Sequence, residues 1–216
     1  MTGNNIKIIT DFDETLTTID VLDTMFIILY GSEGKEIIEK SRKGAFAART
    51  VHEMLCENKD FTQEFVTSFI KNVKITEGIK ELNDYCKKNQ IEIIIMSDGF
   101  DIYIKEILVL YNLDEMRFYS NKITVKDKSY KISYPYAHQE CMLCGHCKKN
   151  TLEAVRNKGD FIIYIGDSTS DYCPAGDANM VFAKGTLESY CQQENIPYKR
   201  FENYFDVINY LKGDCK

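Results

Sequence analysis

The sequence predicts an α/β protein, a Rossmann-like parallel sheet core split after its first strand by an inserted helical domain. Three observations carry this. The runs Ile6–Thr10, Ile91–Met96 and Phe161–Ile165 are apolar almost throughout, as strands of a parallel sheet covered on both faces must be. Each opens directly into a polar cluster: Asp11-Phe12-Asp13-Glu14-Thr15, Ser97-Asp98-Gly99 and Gly166-Asp167-Ser168-Thr169-Ser170-Asp171. Between the first two runs the apolar spacing is that of helices.

The elements follow in order. After Ile6–Thr10, Val21, Leu22, Met25, Phe26 and Leu29 share one helical face, as do Phe61, Phe65, Val66 and Phe69. A third helical stretch, Thr76 to Asn89, turns Ile79, Leu82 and Cys86 inward, with Thr76 as the expected N-cap. Strands reappear at Ile91 and then alternate with helices, Met180-Val181-Phe182 among them. Between Phe118 and Tyr134, apolar residues around Lys126-Asp127-Lys128-Ser129 read as a small hairpin. The expected division is a core of residues 1–17 and 90–216 and a helical cap of 18–89. Within the core, 118–147 forms a hairpin and cysteine-rich loop.

Composition narrows the class. The 216 residues carry a net charge of −6, with lysines scattered rather than blocked, which disfavours nucleic acid and anionic membranes as partners. Met1–Asn5 show no secretory pattern. The longest apolar stretch, Val21–Tyr30, is interrupted by Asp23, so no membrane span and a cytoplasmic location are expected. Nothing in the sequence specifies an oligomeric state. Of eight cysteines, Cys56, Cys86, Cys173, Cys191 and Cys215 are dispersed and read as reduced thiols.

Ligands of open parallel sheets sit beyond the carboxyl ends of the strands, so Asp11, Asp13, Asp167 and Asp171 are expected in one site. Carboxylates that close repel unless a cation compensates them, and an all-oxygen set suits Mg²⁺. Taken singly, each Asp-Gly or Gly-Asp pair also reads as a turn former. Cys141, Cys144 and Cys147, with His138 just before and His146 inside, have a spacing able to hold structural zinc. A loop of reduced thiols is the other reading of the same residues. His52 reads as a surface or packing residue, and Tyr134 and Tyr136 as pocket or packing residues.

Asp-x-Asp-x-Thr, a strand-ending Ser, a Lys and Gly-Asp-x-x-x-Asp, in this order along essentially the whole chain, resemble the haloacid dehalogenase (HAD) superfamily of phosphotransferases. The helical block after the first motif resembles the cap of its phosphoserine-phosphatase-like branch. The resemblance implies a Mg²⁺-dependent phosphatase for a small phosphomonoester. It makes Asp11 the nucleophile that forms an aspartyl-phosphate and Asp13 the general acid and base. It makes Ser97 and Lys148 the phosphate-binding pair, Lys148 rather than Lys149 because similar members carry a Cys-Lys pair here. Asp11, Asp13 through its carbonyl, Asp167 and Asp171 are then the Mg²⁺ residues, and Thr15 supports the loop. Glu14 stands where the wider superfamily commonly has Gly. Ser97-Asp98 and Asp171-Tyr172-Cys173-Pro174 resemble the phosphoethanolamine and phosphocholine phosphatases. That resemblance implies an amine-bearing substrate met by Asp98 and Gly99, and by Asp20, which stands where the resemblance to phosphoserine phosphatases places an amine-binding Glu. The cap, Asp20 and the cysteine-rich loop equally resemble the methylthiopentenyl-phosphate phosphatases of methionine salvage. A phosphomutase shares the first half-reaction, and a receiver-like phosphate-binding domain is disfavoured by the acid at Asp13.

Overall fold

The structure, a computed structural model, describes residues 5–126, 129–141 and 143–213. In chain order its elements are β1 (Ile6–Thr10), α1 (Val21–Arg42), α2 (Ala48–Glu57), α3 (Gln63–Ile70), α4 (Ile79–Asn89), β2 (Glu92–Phe100), α5 (Asp101–Leu110), β3 (Arg117–Lys126), β4 (Ser129–Ser133), α6 (Lys148–Val155), β5 (Phe161–Gly166), α7 (Tyr172–Ala175), β6 (Met180–Ala183), α8 (Gly185–Gln193), β7 (Tyr198–Arg200) and α9 (Tyr204–Lys212), with a 3₁₀ turn at Thr169–Asp171.

The strands form one sheet in the order β4-β3-β2-β1-β5-β6-β7, parallel except for the antiparallel β3–β4 hairpin. Apolar runs without polar alternation are explained by its two covered faces. Ile8, Ile93, Ile95, Ile163 and Ile165 point into one core, which α4, α5 and α9 complete through Leu82, Ile104 and Val207. Their neighbours Ile9, Ile94, Met96, Ile162 and Tyr164 point into the other, against Leu152 of α6, Ala175 of α7 and Leu187 of α8. Each fully buried aliphatic side chain contributes about 1.5–3 kcal/mol, so these two layers fix the central strands. The ends of β1, β2 and β5 are thereby held side by side.

The helical stretch of 18–89 does not behave as one unit. Residues on either side of α1–α3 pair with each other: Thr17 bridges Ile75, the Thr18 amide donates to the Lys74 carbonyl (2.9 Å), and the Thr76 amide donates to the Leu16 carbonyl (2.8 Å). Helix α4 lies beyond this neck, packed on β2 and α9. Cap helices and crossover helices bury one face with the same period, so spacing alone does not separate them. Thr76 is also not the N-cap of α4. Its hydroxyl donates to the Thr15 carbonyl at 2.7 Å, and Gly78 caps the helix without a side chain.

Helix α1 is capped by Asp20, whose side chain accepts from the Asp23 amide, and it breaks at Gly31 (φ +61°, ψ −136°). Only glycine adopts that conformation without strain. The break carries Arg42, at the far end of α1, to Asp20 and Asp23 at its start. In the hairpin, Ile123 faces Ile132. Asp127-Lys128 of its expected turn lies outside the described residues, as does Cys215. Among the described residues no helix is long and apolar enough to cross a membrane.

Candidate active site

The loop after β1 begins as a continuation of the strand, with the Asp11 amide donating to the Ile165 carbonyl (2.8 Å). Alternation then puts Phe12 into the core beside Tyr103 and leaves Asp11 and Asp13 flanking it. Asp11 Oδ1 accepts from the Phe12 amide (2.7 Å) and faces Lys148 Nζ (2.6 Å). Asp13 turns elsewhere: Oδ1 accepts from the Val21 amide (2.9 Å), and Oδ2 from Ser97 Oγ (3.2 Å) and Tyr103 Oη (3.4 Å). Glu14 has φ +54°, a left-handed conformation that explains why glycine is common there. Thr15 Oγ1 donates to Asp167 Oδ1 at 2.9 Å.

Ser97 does not end β2. The strand continues to Phe100, but its register against β3 shifts between Met96 and Phe100, and such irregularities re-aim a side chain. Ser97 Oγ accepts from the Gly99 amide at 2.9 Å. Gly99 is required by close approach, since a Cβ there would lie 1.7 Å from Tyr103 Oη and 3.0 Å from Asp13 Oδ2.

The adjacent lysines separate cleanly. Lys148, in the first turn of α6, is buried and donates to Asp171 Oδ1 (2.7 Å) and Ser170 Oγ (3.0 Å). Lys149 is half exposed and pairs with Asp177 at 3.2 Å. Asp171 accepts four hydrogen bonds, from Lys148 and Tyr164 Oη on one oxygen and from the Asp167 and Ser168 amides on the other.

One oxygen each of Asp11, Asp167 and Asp171 lies within 4.8 Å of the others, and among the described residues no further group of potential metal ligands gathers so closely. Burial pushes Asp11 up strongly, with Asp171 adding to it and Lys148 opposing. Burial, then Asp171, raises Asp167 to about 7. Burial raises Asp13 to about 6. For Lys148, burial works to lower the pKa, but Asp11 and Asp171 outweigh it and hold the ammonium charged. Three buried carboxylates crowd around one ammonium, and the donors are all oxygen. The set fits Mg²⁺.

The remaining expected residues are occupied differently. Asp20 Oδ2 lies 3.3 Å from the Arg42 guanidinium, which also reaches Glu14 (3.3 Å) and Asp23 (2.8 Å). Asp98 Oδ1 accepts from the His146 amide (2.7 Å) and Asn121 Nδ2 (3.0 Å). The zinc expectation is corrected. His138 Nδ1 accepts from the Glu140 and Cys141 amides (3.1 and 3.0 Å). Cys141 is exposed, and Cys144 and Cys147 are half-buried free thiols. The loop is held through Asp98 and His146 instead. His52 packs its ring between Phe100 and Tyr134 (centroids 4.9 and 5.9 Å), and Tyr136 packs on Tyr119 and His146. Sequence reasoning missed Tyr103 and Tyr164, which carry no motif signal, and the inward role of His146. A groove of about 610 Å³ between α3, α5 and β3 shares no residue with the acidic cluster.

Fold and site together are those of an α/β phosphatase. The chain belongs to the family described as Putative Phosphatase, whose model matches residues 6–194. A protein of Exiguobacterium sibiricum named 2-hydroxy-3-keto-5-methylthiopentenyl-1-phosphate phosphatase is 27% identical over 214 residues, covering 96% of each chain. A Bacillus pumilus protein of the same name is 28% identical over 201 residues, covering 91% of this chain and 87% of its own. A solved structure of a phospho-aspartyl intermediate analogue of phosphoserine phosphatase superposes with a TM-score of 0.74 at 21% identity, covering 96% of this chain and 99% of that one. This last likeness carries the fold.

Proposed function

We propose that this phosphatase hydrolyses a small phosphomonoester with an uncharged tail, of the methylthiopentenyl phosphate class, through an aspartyl-phosphate on Asp11. The observation that carries the tail assignment is that both acids expected to meet an ammonium are already engaged, Asp20 by the Arg42 guanidinium and Asp98 by the His146 amide and Asn121. The name shared by relatives that span nearly the whole chain supports the same reading.

Asp11 attacks phosphorus and displaces the alcohol. Asp13, in reach of Ser97 Oγ and poised near a pKa of 6, protonates the leaving oxygen and later takes a proton from the hydrolytic water. Ser97 and Lys148 hold the transferring phosphoryl oxygens. Asp11, Asp167 and the Asp13 carbonyl are the residues that would hold Mg²⁺, which when bound neutralises developing phosphoryl charge. Asp171 would complete that set by its place in the acidic cluster, and the four hydrogen bonds it accepts fix Lys148 and the β5 loop. The division that goes with this reading is an α/β core and a cap of residues 18–75, hinged at the Thr17–Ile75 bridge.

Turnover of the methylthiopentenyl phosphate, phosphoethanolamine, phosphocholine and phosphoserine, each with Mg²⁺ and with EDTA, tests it. The expected order puts the first well ahead in kcat/KM. Preference for an amine-bearing ester would restore Asp20 and Asp98 as substrate residues. Full activity in excess EDTA would remove the metal.

A further inference from the structure

We propose that His146 is a positioning residue that locks the phosphate-binding Ser97 and the first turn of α6, which carries Lys148, into one frame. The ring is buried, with 1% of the residue exposed, and both nitrogens are engaged. Nδ1 lies 2.9 Å from the Ser97 carbonyl oxygen. A carbonyl only accepts, so Nδ1 carries the proton. Nε2 lies 2.7 Å from Thr151 Oγ1. With the proton on Nδ1, Nε2 is an acceptor, and the Thr151 hydroxyl donates to it in preference to the Cys147 carbonyl at 3.3 Å. The His146 amide meanwhile donates to Asp98 Oδ1 at 2.7 Å.

One residue thus grips two successive residues of the β2 bulge and one turn of α6. Lys148 lies two residues further along, in the same turn as Thr151. Burial is also what keeps the ring neutral, lowering its pKa to about 4; Ser97 and Asp98 oppose this and Lys148 adds to it. His146 touches neither Asp11 nor Asp13 in any contact described above. Its effect passes through the carbonyl of Ser97 and the helix turn of Lys148. By the spacing Cys-x-x-Cys-x-x-Cys this histidine reads as part of a metal loop. Its geometry gives it the job of a strut.

The inference rests on the reading of Ser97 and Lys148 as the phosphate-binding pair, so the test has two independent parts. The first is ¹⁵N NMR of the histidine rings in the wild-type protein at neutral pH. The expected signal is a neutral Nδ1–H tautomer for His146; an Nε2–H tautomer or an imidazolium would overturn the assignment. The second compares His146→Ala, His146→Asn and His146→Gln in KM and kcat for p-nitrophenyl phosphate with Mg²⁺. It also compares their affinity for inorganic phosphate. Asn places an amide donor where Nδ1–H lies, whereas Gln reaches toward Thr151. Ala and Gln are expected to weaken phosphate binding and raise KM about ten- to a hundredfold, with Asn restoring most of the loss. Folded Ala and Gln variants that lose only melting temperature, with wild-type KM and phosphate affinity, would reduce His146 to a packing residue. A wild type that binds phosphate in this His146-dependent way but hydrolyses no ester would sink the proposed function and leave the strut standing.

Discussion

Lys148 Nζ lies 2.6 Å from Oδ1 of Asp11, and both side chains are buried. The same ammonium is 2.7 Å from Asp171, so a single cation is shared by two carboxylates. Burial pushes the Asp11 carboxyl up strongly and Lys148 is the cation that opposes it. The proposed nucleophile therefore depends on a neighbour three strands and five helices away in sequence. Catalytic readiness and local stability pull against each other at this point.

That tension gives the first prediction. Asp11→Asn should abolish turnover yet melt no lower than wild type without Mg²⁺, because it removes one of three crowded acids. Lys148→Met should do the opposite for stability, costing about 3–5 kcal/mol by stranding two buried carboxylates. Mg²⁺ should recover part of that loss. Asp13→Asn should keep the fold and lower kcat about 10²–10⁴-fold. Thermal melts with and without Mg²⁺, beside steady-state rates, check all three. Measurable turnover by Asp11→Asn would end the covalent mechanism.

Arg42 supplies the second. It is the cation that pairs with Glu14, Asp20 and Asp23 at the start of α1. Arg42→Ala should release those acids and raise kcat/KM for phosphoethanolamine relative to p-nitrophenyl phosphate by about tenfold or more, since unpaired carboxylates favour a nearby ammonium. The ratio is read from paired kinetics on the two esters. An unchanged ratio would place the tail away from this corner.

What was legible in the sequence, and what was not, divides along the range of the signal. The central strands announce themselves because both faces of Ile8-Ile9, Ile93–Ile95 and Ile162–Ile165 are buried, which leaves no polar positions. The convergence of Asp11, Ser97 and Asp167 follows from strand polarity alone, once β1 lies between β2 and β5. The boundary after α3 was not legible. The proposed boundary follows the backbone bridge between Thr17 and Ile75, and backbone bonds leave no trace in composition. The cysteine loop misled because its spacing is a local pattern, whereas His146 is drawn inward by the Ser97 carbonyl, far away in sequence. Asp20 reads as a substrate residue in the sequence because its partner Arg42 reaches it only through the break at Gly31.

Glu14 yields a third prediction. Its φ of +54° strains a residue with a Cβ, at about 1–2 kcal/mol, while glycine would give back part of this in unfolded-state entropy. Glu14→Gly should raise the melting temperature by about 2 °C, and Glu14→Val should lower it by more. Scanning calorimetry of the two variants decides it. A lower melting temperature for Glu14→Gly would mean that the exposed contact to Arg42 outweighs the backbone strain.

The last prediction concerns pH. Burial lowers the His146 pKa to about 4 in the folded protein, against about 6.5 in an unfolded chain. Between those values the unfolded state binds the proton and the folded state does not, so stability rises with pH. The contribution is complete above pH 6.5, falls away as the pH drops toward 4, and amounts to about 3 kcal/mol across the window. His52, also lowered by burial, adds in the same direction. Asp13 and Asp167 work oppositely, since burial raises both and a proton favours the folded state. The whole-protein curve therefore mixes the two signs, and the difference between wild type and His146→Asn isolates the histidine. Urea unfolding of both proteins at pH 7.5 and pH 5 should show the wild type losing more stability than His146→Asn over that interval. Equal losses would mean that His146 is already solvated in the folded state, and the Nδ1–Ser97 strut would fall with it.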